Sequence, residues 1–92
     1  MGFEGKISPE SSRHARVLRT ELPLDEFNKI QMKLSEIAYD KYHPDEKEES
    51  GGRKMLWWIQ HGYAQAYGDL EFIDVDDLDA TLDEVEAAIT RH

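Results

Sequence analysis

The chain has 92 residues, a hydrophobic content of 39%, a charged content of 34% and a formal net charge of −9. These values predict one small folded domain and argue against a disordered chain. Because there is no cysteine, a disulfide framework, a thiol nucleophile and a cysteine-based zinc site are excluded. No apolar run is long enough to span a membrane, and the N-terminus lacks the layout of a signal peptide, so we expect a cytoplasmic protein.

The charge is distributed unevenly along the chain. Residues 1–54 hold ten Lys/Arg and eleven Asp/Glu, whereas residues 55–90 hold nine acids and no Lys or Arg. An acidic half of this kind repels nucleic acid and attracts basic partners. It is also the pattern of a solvated face that only keeps a protein soluble, and the sequence leaves both interpretations open.

The first half of the chain predicts an arm, a strand and a helix. Residues 1–12 are rich in Gly, Ser and Pro and predict a flexible arm, with a single small helical domain over 13–92. His14–Leu22 favours a short edge strand. After Pro23, a helix is predicted over 25–41 because apolar residues recur at helical spacing; these are Phe27, Ile30, Leu34, Ile37 and Ala38.

The second half predicts two helices and a strand. Pro44 ends the first helix, and a charged loop leads into a central helix over 53–68. Its predicted buried stripe comprises Met55, Leu56, Ile59, Tyr63, Ala66 and Tyr67, with Trp57 and Trp58 on opposite flanks. Asp69–Val75 predicts a strand that pairs with the first one. Asp74 is the expected N-cap of a last helix over 75–90, in which Leu78, Leu82, Val85 and Ile89 form the apolar stripe.

These elements predict a mainly α domain, with α+β as the variant: three helices and a short two-stranded ribbon from 16–22 and 70–75. No catalytic motif accompanies them. The chain has no nucleophile elbow and no phosphate-binding glycine loop, and its four histidines lack ligand spacing, so we expect no enzyme, no metal and no cofactor.

The composition favours a small acidic protein that binds another protein, in the manner of inhibitors encoded by phages and mobile elements. Its acids would occupy a basic, nucleic-acid-binding surface of the partner, and an aromatic side chain would anchor the contact. Direct nucleic-acid binding and membrane binding are not expected, and a homodimer is compatible with the sequence. The candidate contact residues are Trp57, Trp58, His61, Asp69, Glu71, Asp74, Asp76, Asp77 and Asp79.

A different function is implied by His43, Pro44 and Asp45, which follow Lys41 and Tyr42 at the end of the first helix. This tripeptide resembles the signature of J-domains, co-chaperones that stimulate the ATPase of heat-shock chaperones. The resemblance covers about Leu24–Gly68 and implies that His43, Pro44 and Asp45 lie in a loop between two antiparallel helices and contact the chaperone. The preceding helix departs from the family because Glu36 and Asp40 interrupt its basic surface.

A lesser alternative is the ribbon-helix-helix class of repressors. The strand Arg16–Leu22, followed by a Pro and an amphipathic helix, resembles that family, which implies that Arg16 or Arg19 reads bases in the major groove. The connection over 40–52 is too long for the family, and the net charge opposes phosphate binding.

Overall fold

The computed structural model describes residues 16–91. In chain order the elements are β1 (Arg16–Leu18), α1 (Leu24–Tyr42), α2 (Gly51–Gln60), α3 (Tyr63–Gly68), β2 (Phe72–Asp74) and α4 (Leu78–Arg91). Short 3-10 turns occupy Arg19–Glu21 and Pro44–Glu46. The mainly helical class is therefore confirmed. The predicted arm over 1–12 lies outside the described residues.

Helix α1 is the element that the sequence predicts best. Its stripe turns inward: Leu34 and Ala38 are fully buried and Ile30 nearly so, while Phe27 and Ile37 are half-buried. The helix ends where predicted, because Pro44 cannot continue it and His43 takes a non-helical backbone. One side of α1 contacts α2 and another contacts α4.

The prediction of one continuous central helix over 53–68 is wrong, because the chain forms two separate helices there. Ser50 caps the start of α2 by accepting a hydrogen bond from the Arg53 backbone N–H at 3.1 Å. The helix ends at Gln60, and Gly62 follows with a φ of +84°, which lies in the left-handed region that glycine enters without steric cost. The chain restarts as α3 in a new direction, so the domain has four helices among its described residues instead of three.

The burial predicted for this segment is also partly wrong. Trp58 is fully buried and donates through its indole N–H to Gln31 of α1 at 3.1 Å. Leu56 and Ile59, which the predicted stripe placed inside, are 49% and 54% exposed. A continuous stripe cannot form because the break at Gly62 rotates α3 relative to α2, so Tyr67 and Ala66 become buried while Leu56 and Ile59 do not.

The ribbon is confirmed, and α4 closes the fold. β1 pairs antiparallel with β2 with Val17 opposite Ile73. Helix α4 buries Leu82, Val85 and Ala88 fully, with Leu78 and Ile89 packed at the edge of the core. Because α4 contacts α1, α3 and β2, its buried stripe closes one core cluster that includes residues from every helix.

Candidate functional site

One face of α4 carries carboxylates at helical spacing. Asp79, Asp83 and Glu86 are separated by four and three residues, so they lie on the same face, beside the buried stripe. Asp79 and Asp83 are exposed, and neither forms an ion pair with any residue between 16 and 91. Asp76, just before the helix, is exposed as well.

Glu86 on this face and Glu84 beside it are both neutralised by cations. Arg16 of β1 bonds Glu84 at 2.8 Å, and the ammonium of Lys41 lies 3.1 Å from a carboxylate oxygen of Glu86. The bond to Glu86 raises the pKa of Lys41, because the charged lysine is the form that the carboxylate stabilises. Among residues 16–91, Asp79 and Asp83 are therefore the acids of α4 that have no ion-pair partner.

An aromatic cluster from α1 and α2 contacts this face of α4 at Glu86. The Tyr42 hydroxyl donates to Glu86 at 2.6 Å, and the Tyr42 ring lies 6.1 Å from that of Trp57. Trp57 in turn stacks on His61, with ring centroids 4.9 Å apart. Trp57 is half-buried, whereas Tyr42 and His61 are exposed. We call the combined region the acidic–aromatic surface; it comprises Tyr42, Trp57, His61, Asp79, Asp83 and Glu86.

Two predicted contact residues hold the turn before α4 instead. Asp74 is only 6% exposed, and its carboxylate accepts hydrogen bonds from the backbone N–H groups of Asp76 and Asp77 at 3.1 and 3.0 Å. Asp77 accepts from the backbone N–H of Ala80 at 3.1 Å, which makes it the N-cap of a helix that begins at Leu78. The predicted N-cap role of Asp74 is therefore wrong, and neither carboxylate is free for a partner without cost to the turn.

Trp58 must also be removed from the predicted contact residues, because it is fully buried in the core. Asp69 and Glu71 are exposed, but they lie apart from the acidic–aromatic surface, beside the ribbon. There they line a groove of about 410 Å³ together with Phe72 and the two arginines Arg16 and Arg91. Of the predicted residues, Trp57 and His61 therefore contact each other, and Asp79 lies on the face of α4 that carries Glu86.

The His-Pro-Asp tripeptide lies between two antiparallel helices. The ammonium of Lys54 in α2 bonds Asp40, whereas Trp58 bonds Gln31, so the two helices run in opposite directions along their contact. Pro44 and Asp45 are exposed in the 3-10 turn between them.

His43 is half-buried, and its ring stacks on Tyr39 at 4.3 Å and meets Trp57 edge-on at 5.4 Å. Its Nδ1 lies 3.2 Å from the Tyr39 carbonyl oxygen. A carbonyl only accepts, so a hydrogen bond at this contact is one that Nδ1 donates.

Two buried side chains, Tyr39 and Lys54, form hydrogen bonds to the loop that follows the tripeptide. Lys54 is 6% exposed, and its ammonium donates to Asp40 and to the Lys47 carbonyl, both at 3.0 Å. The Tyr39 hydroxyl donates to Glu46 at 2.7 Å, and this hydrogen bond, with burial, raises the pKa of Tyr39 to about 12. Burial also raises the pKa of Tyr63 and of Tyr67. These contacts hold the tripeptide against both helices.

The strand arginines are engaged within the chain. Arg16 lies over the ring of Phe72 in addition to its bond with Glu84, and Arg19 donates through Nε to the Leu70 carbonyl at 2.9 Å. A repressor strand would need these side chains to reach base edges, whereas here Arg16 connects β1 to β2 and α4, and Arg19 connects the 3-10 turn after β1 to Leu70.

Comparison with protein-family models, with curated proteins and with solved structures finds no match to this chain. Across residues 16–91, no three His, Asp or Glu side chains are grouped as metal ligands would be. None of the helices described is both long and apolar enough to cross a membrane.

Sequence reasoning missed three members of the acidic–aromatic surface: Tyr42, Asp83 and Glu86. The spacing of Asp79, Asp83 and Glu86 was a readable signal, because residues at i, i+4 and i+7 share a helix face. Tyr42 offered no such signal, since its contact with Glu86 joins residues 44 positions apart.

Proposed function

We propose that the protein is a non-catalytic binding module that docks its acidic–aromatic surface onto a basic surface of another protein. Its chemistry fits a partner surface that normally holds nucleic acid, as an inhibitor encoded by a phage or a mobile element would need. The main support is the pairing pattern on α4: cations neutralise Glu84 and Glu86, while Asp79 and Asp83 are exposed and form no ion pair with the described part of the chain.

The aromatic part of the surface gives such a contact its anchor. Trp57 is held by neighbouring rings on several sides, so little rotamer entropy is lost when a partner covers it. Carboxylates steer a basic partner and fix its orientation, whereas a desolvated aromatic ring supplies affinity. A surface that combines the two is suited to a specific complex, and its binding should weaken as salt screens the charges.

The test compares two triple variants in affinity capture. Asp76, Asp79 and Asp83 are changed to Asn in one variant; Glu21, Glu36 and Glu48, exposed acids elsewhere, are changed to Gln in the other. Both variants remove three negative charges, and neither touches Asp74 or Asp77. We expect a basic protein to be retained by the wild type and by the Gln variant, lost with the Asn variant, and released by salt or by competing duplex DNA. Equal retention by both variants, or no basic protein retained at all, would contradict the proposal.

A second candidate function is the J-domain-like one, which is favoured by the position of the tripeptide between two antiparallel, contacting helices. We propose Asp45→Asn as its test, because Asp45 is exposed and no hydrogen bond to its side chain is found among the described residues, so the fold should be unchanged. A J-domain-like protein would stimulate the ATPase of a heat-shock chaperone and lose that stimulation in this variant, as in His43→Gln. Absence of stimulation by the wild type would exclude this candidate.

A further inference from the structure

The outer side of α2 carries an apolar stripe that no described part of the chain covers. Gly52, Leu56 and Ile59 are separated by four and three residues and therefore share one face of the helix. Leu56 and Ile59 are 49% and 54% exposed, and a Cβ added at Gly52 would meet nothing within 4 Å. We call these three residues the α2 stripe.

The α2 stripe is separate from the acidic–aromatic surface. Trp57, which belongs to that surface, lies at least about 100° around the helix from each residue of the stripe. Charges of both signs border the stripe: Arg53 lies 3.9 Å from Glu49, and Glu36 reaches within 4.0 Å of the Cβ position of Gly51. In a chain with a net charge of −9, this mixed border makes α2 a place where a second copy can approach without placing acids against acids.

The stripe is complementary to itself. When two copies of α2 cross in antiparallel fashion about the midpoint between Gly52 and Ile59, Gly52 of each copy faces Ile59 of the other. The large side chain then enters the space left by the missing one, and the two Leu56 side chains meet near the axis. This is the same-patch contact that a two-fold symmetric dimer requires.

We propose that the α2 stripe is a dimer interface that pairs with the same stripe of a second copy of this chain. The helix is only about 15 Å long. A stable interface buries about 800 Å² on each partner, which one short helix pair does not reach. The dimer is therefore weak, with a dissociation constant above about 1 μM. The acidic–aromatic surfaces of both copies remain exposed in it.

Sedimentation equilibrium of the full chain from about 10 μM to about 1 mM tests the proposal. We expect a monomer–dimer equilibrium that tightens as salt is raised, because salt screens the repulsion between two acidic chains. That dependence is opposite to the one expected for binding of a basic partner, so the two proposals can fail separately. A monomer at every concentration, or association that weakens with salt, would overturn the dimer.

Three variants locate the contact. Leu56→Glu places two like charges at the dimer axis and should weaken dimerisation at least about tenfold, while the exposed position lets the monomer fold. Leu24→Glu is the matched control, since Leu24 is 72% exposed and lies outside α2; it should leave dimerisation unchanged. Gly52→Ala should weaken the dimer although it favours the helix of the monomer. Loss of the dimer in Leu24→Glu, or its persistence in both Leu56→Glu and Gly52→Ala, would place the contact elsewhere and refute the proposal.

Discussion

Replacing Gly62 by alanine distinguishes a broken helix from a continuous one. In the structure Gly62 has φ +84°, a region that costs a residue with a Cβ about 1–2 kcal/mol. A Cβ at this position meets nothing within 4 Å, so no steric clash adds to the backbone cost. Gly62→Ala should therefore lower the free energy of unfolding by about 1–2 kcal/mol, which for a domain of this size lowers Tm by roughly 4–16 °C.

A continuous helix over 53–68 would give the opposite sign. Alanine is favoured over glycine in a helix interior by about 0.5–1 kcal/mol, so the same substitution would then stabilise the protein. Gly52→Ala is the control, because Gly52 is helical and its added Cβ also meets open space; it should be neutral or stabilising. Urea denaturation followed by circular dichroism at low protein concentration gives both values. If Gly62→Ala were as stable as Gly52→Ala, the break between α2 and α3 would be refuted.

Two further predictions concern polar contacts. Because the hydrogen bond to Glu46 raises the pKa of Tyr39 to about 12 from 10.0, the unfolded chain loses this proton first, and the free energy of unfolding should fall as pH rises from about 10 to 12. Urea denaturation across this range should show a shallower fall in Tyr39→Phe; an unchanged fall would remove Tyr39 from the cause. Asp77→Ala should cost about 1 kcal/mol by loss of the N-cap of α4. Asp76→Ala should stay within about 0.5 kcal/mol when both variants are measured by urea denaturation, and equal losses would mean that Asp77 is not the cap.

The candidate site was only partly readable from the sequence. Trp57, His61 and Asp79 were singled out as candidate contacts, and in the structure Trp57 stacks on His61 while Asp79 is exposed on α4. Asp74 and Asp77 were singled out for their charge, yet a carboxylate next to unpaired backbone N–H groups is often used by the turn itself. Lys54 is the opposite case, a charged residue that the sequence places at the surface. Its ammonium is in fact buried against Asp40 and a loop carbonyl, and its sequence neighbours do not indicate this.

Local chemistry by itself determined α1, the ribbon and the existence of the last helix. Proline fixes where α1 can begin and end, its apolar residues recur on one face only, and the two strands lie beside turn-forming residues. These signals act within a few residues along the chain, so they can be recognised without knowledge of the rest of the fold. In the structure α1 spans Leu24–Tyr42, close to the predicted 25–41, and the two strands pair with Val17 opposite Ile73.

Only the tertiary structure decided which side of α2 is buried. This helix has apolar residues on every side, so its periodicity allows several stripes, and the choice depends on what the neighbouring helices offer. Gln31 offers the indole of Trp58 a hydrogen-bond partner, and burying that side chain removes more apolar area from water than burying Leu56 or Ile59 would. The left-handed turn at Gly62 then directs α3 back onto α4, and Leu56 and Ile59 stay at the surface.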